Sequence, residues 1–223
     1  MAVARNDSGT AFNDAGGAYV TSVSVTGFTV SAGSDLCLYA GACWGATPTS
    51  ITVTWNGVAL TQVQVATNGE CQTKLYRLIA PATGNLTLAA SWTGAAPVVI
   101  GCGAFSGVHQ TTPEVGGDTV TATGSSTTPS RSVTSATGDA TLVMSGSNDA
   151  GTGNIAYTTP EAFTSEWRKT TVGEAAGSMT SELGGTSNNH TFTTTISDLW
   201  AAIGVHIAQA EAASTTKPMF RGG

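Results

Sequence analysis

Three histidines, four cysteines and five tryptophans are the side chains of this sequence best suited to chemistry or ligand contact. His109 starts a long Gly/Pro/Ser/Thr-rich stretch, His190 sits in "SNNHTF", and His206 sits in "LWAAIGVHI". None has a Cys, Asp or Glu at a spacing that would build a triad or a metal site. In the last stretch Leu199, Ala201, Ile203, Val205 and Ile207 alternate onto one strand face. His206 then falls on the other face, where a partly exposed structural residue is expected. Cys37 and Cys43 share a strand and a face, six residues apart, too far to bridge each other. Cys71 and Cys102 belong to other strands, and there is no CxxC pair, so four buried thiols are expected and a metal site is not.

Other templates for catalysis fail as well. No GxSxG elbow occurs. "GCGAFSG" (101–107) has the wrong glycine spacing for a dinucleotide loop and lies in a strand pattern. The fourteen Asp and Glu residues offer no evident acid/base couple. Asp7, Asp14 and Asp149 lie in oxygen-rich segments that do not match the twelve-residue calcium loop, and Asx turns are the simpler reading. Trp44, Trp55, Trp92, Trp167 and Trp200 could stack on sugars if exposed, but in alternating strands tryptophans more often fill cores or interfaces. The sequence therefore reads as non-enzymatic, with no cofactor and no metal.

The elements that would position these residues are strands. In "ITVTWNGVALTQV" (51–63) the Asn56-Gly57 pair tolerates the positive φ angles of a type I′ turn, and Ile51, Val53 and Trp55 alternate with threonines. Further strands are expected at Tyr19–Val30, Leu36–Trp44, Ala59–Val65, Thr73–Ile79, Leu86–Trp92, Val98–Phe105, Arg131–Ser135, Thr141–Ser145, Phe163–Thr171, Gly177–Leu183, His190–Ile196 and Leu199–Ala208. Turn signals separate them, and no stretch has a convincing helical period. The pattern predicts an all-β antiparallel sandwich of jelly-roll type, a single domain with extended terminal arms.

The expected organisation is an N-terminal arm over 1–17, a sandwich over 18–208 and a C-terminal tail over 209–223. "SAGSDLCL" (31–38) echoes "SATGDATL" (135–142), and "VVIGCGAF" (98–105) echoes "WAAIGVHI" (200–207). These echoes divide the sandwich into half-units 18–108 and 131–208, joined by "HQTTPEVGGDTVTATGSSTTPS", read as a linker or a long loop. The tail carries an isolated apolar pair, Met219-Phe220, beside Arg221. Lys217, Met219, Phe220 and Arg221, together with Phe12 of the N-terminal arm, are the candidate partner-binding residues.

Charge narrows the partners. Only 10% of the 223 residues are charged, with a formal net charge of −6, while Ser and Thr make up about a quarter. An average soluble domain has about 25% charged residues. Scattered basic residues leave no stripe for phosphates, so nucleic acid is not an expected partner. No apolar run is long enough to span a bilayer, and "MAVARNDSGTAF" has no signal-peptide core, so cytoplasmic synthesis without a signal peptide is expected. A surface with so little charge favours association with other proteins.

The succession "ITVTWNGVALTQV", "KLYRLIAPATGNLTLAASW", "VVIGCGAFSGVHQTTP", "SVTSATGDATLVMSG", "LWAAIGVHIAQA" resembles a family of β-sandwich structural or adhesive proteins of tailed phages, prophages and some bacterial surfaces. The likeness covers about Tyr19 to Ala208. It implies a non-enzymatic virion protein, best matched by a capsid decoration (cement) protein at the capsid surface. Its partners would be the major capsid protein and further copies of itself, as a homo-oligomer such as a trimer. The alternatives are a head- or tail-mounted adhesin that binds host glycans, and a tail or connector component.

Overall fold

The computed structural model describes residues 1–9, 11–13, 18–45, 48, 50–116, 119–148, 157–158, 164–169, 175–184 and 187–211; for 148, 157–158, 164–169 and 187 only the backbone is described. Among these residues every regular element is a strand. The first half of the chain forms β1 (Ala4–Arg5), β2 (Asp7–Gly9), β3 (Phe12–Asn13), β4 (Val20–Val30), β5 (Cys37–Gly45), β6 (Ile51–Trp55), β7 (Val58–Ala59), β8 (Thr61–Asn68), β9 (Cys71–Ile79), β10 (Gly84–Ala96) and β11 (Val98–Ser106). The second half forms β12 (Val120–Ser126), β13 (Ser130–Thr134), β14 (Ala140–Asn148), β15 (Tyr157–Thr158), β16 (Thr164–Lys169), β17 (Ala176–Leu183), β18 (Ser187–Thr191), β19 (Thr193–Thr194) and β20 (Asp198–Ile207).

Neighbour relations repeat between the halves. In the first, β11-β5-β9-β8 make an inner sheet, edged by β1 and β3 on β11, and β2-β4-β10-β6-β7 make an outer sheet. In the second, β12-β20-β14-β17-β16 make an inner sheet, and the pairs β13-β18 and β15-β19 make the outer layer. Seven principal strands in each half pair identically: seventh, second, fifth and fourth on the inside; first, sixth and third on the outside. β18 and β19, separated only by Phe192, together take the place of β10.

All paired strands are antiparallel, and the sheets pack as sandwiches, as the strand pattern predicts. Second-with-fifth and third-with-sixth pairing also occurs in immunoglobulin-type Greek keys, but here the seventh strand edges the second and the first edges the sixth, the reverse of that order. The jelly-roll order expected from the sequence is not established by these sheets. Spacing of strands and turns dictates how many strands form, whereas neighbour order depends on which apolar faces find each other.

The inner sheets lie against one another, so the molecule is four layers deep, outer-inner-inner-outer. Strands sandwiched on both sides must be apolar or small on both faces. β5, CLYAGACWG, is buried at every position, and β11 at every position but Ser106. Outer strands keep the alternation of one wet face: Val23, Val25, Phe28 and Val30 of β4 are buried while Ser22, Ser24 and Thr26 are exposed. A continuous apolar cluster runs from Phe28 and Trp55 through Leu38, Ile100 and Phe105 to Leu142, Met144 and Ile203 of the second half. The hairpin at Asn56-Gly57 forms as expected, with φ of 49° and 82° and Trp55 opposite Val58. Trp55 is fully buried, edge-on to Phe28 at 5.8 Å, and its indole N–H donates to the Ala82 carbonyl at 2.8 Å.

Two segments differ from their expected character. The described part of the N-terminal segment does not extend away from the body. β1 and β3 pair with β11, β2 pairs with β4, and Asp7 Oδ2 accepts the Ala104 N–H at 2.6 Å. The joining stretch contains β12, which runs along β20 for seven residues from Val120↔Gly204 to Ser126↔Asp198. Its Ser/Thr/Gly composition resembles loop, yet it serves as a half-exposed edge strand.

Candidate functional site

Of the proposed contact residues, Lys217, Met219, Phe220 and Arg221 lie outside the described residues. Phe12 lies on β3 opposite Gly101, half-buried and packed against the apolar cluster that spans both halves, so part of its ring is used within the molecule.

Each histidine has a structural setting that the sequence spacing did not reveal. His206 is buried rather than partly exposed, its Nε2 2.6 Å from Asp139 Oδ2. The other carboxylate oxygen accepts the Gln209 N–H at 2.9 Å. This pair, 67 residues apart in the chain, ties the end of β20 to the turn before β14. The local signal overlooked is that Trp200, Ala202 and Gly204 are themselves apolar or small, so the face shared by His206 had to be covered.

His190 is fully buried between the inner sheet and the β13–β18 layer. Its Nε2 lies 2.9 Å from Thr141 Oγ1, its Nδ1 2.9 Å from Thr180 Oγ1, and Asn188 Nδ2 donates to Thr141 Oγ1 at 3.1 Å. Burial lowers its pKa to about 4, so the ring is neutral at pH 7.

His109 lies in a cleft lined by Asp35, His109, Gln110, Thr111, Ala210 and Glu211, about 240 Å³ in volume. Nδ1 accepts the Thr112 N–H at 3.0 Å, which leaves the proton on Nε2, 3.7 Å from Glu211 Oε1. The Gln110 amide is used by the Val108 carbonyl at 2.8 Å and the Leu36 carbonyl at 3.3 Å. The cleft therefore offers the His109 Nε2–H, the Thr111 hydroxyl and the carboxylates of Asp35 and Glu211, a set suited to hydroxyl groups. The Thr111 and Thr112 hydroxyls lie 3.3 and 3.0 Å from His109 Nδ1, the nitrogen that also accepts the Thr112 N–H.

Glu114 of the joining segment reaches into the first inner sheet. Its carboxylate pairs with Arg77 and accepts the Tyr39 O–H at 2.7 Å. Burial, the largest influence, raises the Tyr39 pKa well above its ordinary value, and the phenol stays protonated as that bond requires. Backbone bridges Val108↔Gln209 and Glu114↔Ile207 fasten the segment along the end of β20. Sequence reasoning had singled out neither Glu114 nor Asp139, because each acquires its partner only through pairing distant in the chain.

All four cysteines are buried thiols, as expected. Burial pushes Cys37 up to about 12 and Cys43 well above the ordinary range. Trp44, Trp55, Trp92 and Trp200 are buried, and Trp167 lies on β16, where only the backbone is described. Among the described residues no three His, Cys, Asp or Glu side chains converge as a metal site, and no helix is long and apolar enough to cross a membrane. No known protein family, curated protein or solved structure matches the chain.

Proposed function

We propose that this chain is a non-enzymatic virion structural protein of a tailed phage, a capsid decoration protein that binds the major capsid protein. The observation that carries this reading is where the reactive side chains are engaged. His190, His206, Asp139, Glu114, Arg77 and Tyr39 all serve as internal struts of a four-layer β body. Outside these struts are the His109 cleft and broad sheet faces with hydroxyls in place of charges, such as Ser22, Ser24, Thr52 and Ser91 on the outer sheet. A stiff body with such faces suits contact between subunits, and the family resemblance supplies the virion setting.

The adhesin alternative loses its main support, since four of the five tryptophans are buried and offer no ring face to a sugar. The test is co-sedimentation of the purified protein with undecorated capsids from its source, intact and lacking Thr215–Gly223. Saturable binding of the intact chain, lost on deletion, supports decoration through the tail. Absence of binding by the folded intact chain overturns the reading.

A further inference from the structure

The contacts between the inner sheets obey a symmetry. β5 lies against β14, its own counterpart in the repeated strand order. β9 lies against β14 and β20; reciprocally β17, the counterpart of β9, lies against β5 and β11. β8 rests on β20 and β12, and its counterpart β16 rests on β11 and β3. Each of these strand contacts recurs with the two halves exchanged, as in an isologous, two-fold interface.

Backbone details repeat as well. Asp35, with φ 53°, and Gly138, with φ 91°, take the left-handed conformation just before β5 and β14. Ala80, with φ 49°, and Gly184, with φ 73°, do so just after β9 and β17. The Ala80 N–H donates to the Leu36 carbonyl at 2.9 Å, and the Gly184 N–H to the Asp139 carbonyl at 2.8 Å, in the same place of each half.

We infer that the chain is a covalently fused dimer of one sandwich, and that the inner sheet of each half-unit is a homotypic docking surface whose partner is the inner sheet of the other. The chemistry of the face supports close, uncharged association. A Cβ on Gly146 would stand 2.5 Å from both Cys43 Sγ and Thr73 Oγ1, so the Gly146 backbone packs directly against these two side chains at the centre. Thr73 Oγ1 donates to the Ala201 carbonyl at 3.0 Å, and Asn68 Nδ2 to the Gly124 carbonyl at 2.7 Å and the Trp200 carbonyl at 3.2 Å. Leu142, Met144, Met179 and Ile203 complete the apolar contact. Five strands at ~4.8 Å spacing and ~3.3 Å per residue give each face an area of the same order as the ~800 Å² per partner of a stable complex.

The joining segment also bridges the halves, so the test must separate the two attachments. A protease site inserted after Gly116 in the full chain is cleaved, and the product is diluted and followed by light scattering and native mass spectrometry. The fragments are expected to stay together at the mass of the uncut chain. Separation of the fragments at micromolar concentration overturns the inference. In the cut protein, Gly146→Val is expected to weaken association at least tenfold. Thr73→Val, a milder change that guards against a wedge too severe to fold, is expected to weaken it several-fold. If both variants stay joined as tightly as the unsubstituted protein, the inner sheets are not the docking surface.

Discussion

At the scale of single residues, the titratable groups of this protein are distinguished by burial. His190 is held neutral between two threonine hydroxyls, with a pKa lowered from 6.5 to about 4. The unfolded chain takes up that proton near pH 6.5 and the folded chain does not until about pH 4, so the unfolded state binds more protons in between. Stability from this residue is complete above pH 6.5 and declines as pH falls toward 4. At about 1.4 kcal/mol per pKa unit the loss reaches about 3 kcal/mol. Denaturant unfolding at a series of pH values should show this decline, and His190→Gln should remove it relative to the parent; parallel curves for the two proteins would contradict the assignment. The thiols give a second prediction at this scale. With Cys37 and Cys43 buried and pushed up in pKa, and Cys71 and Cys102 buried beside them, a thiol reagent at pH 8 should label none in the native protein and all four after unfolding.

Elements are where the sequence was most informative and where its limits have a physical origin. The Asn56-Gly57 hairpin was legible because only a few residue types tolerate two successive positive φ values. A Cβ on Gly57 would meet nothing within 4 Å, so the cost of Gly57→Ala comes from its φ of 82° alone. That cost is about 1–2 kcal/mol, measurable by equilibrium unfolding, while Asn56→Gly should change stability little. Alternating strands such as β4 and β6 were equally readable. β12 was not, because "VTATGSS" lacks large apolar residues and becomes a strand only through its seven-residue pairing with β20. β1 to β3 are too short to show a period and exist because their backbones complete sheet edges. From the sequence alone the face bearing His206 reads as partly exposed, since one buried face looks sufficient until a second layer covers the other.

At the scale of the whole molecule, the two short echoes in the sequence correspond to a repeated strand order and to a four-layer body, neither of which strand-turn grammar can specify. Layers form because "CLYAGACWG" and, apart from His206 with its Asp139 partner, "LWAAIGVHI" are apolar or small on both faces and leave their sheets no wet side. Of the candidate site, the histidines and cysteines were legible as residues, but Asp139, Glu114 and Asp35 join them only through long-range pairing. The proposed role rests on this body acting as a rigid, charge-poor unit that settles on a larger lattice. The most direct measurement is electron cryo-microscopy of undecorated capsids from the chain's source, imaged after incubation with the purified protein. The account predicts ordered density of the size of the double sandwich at fixed positions on the capsid surface. Bare capsids under saturating, folded protein would contradict it.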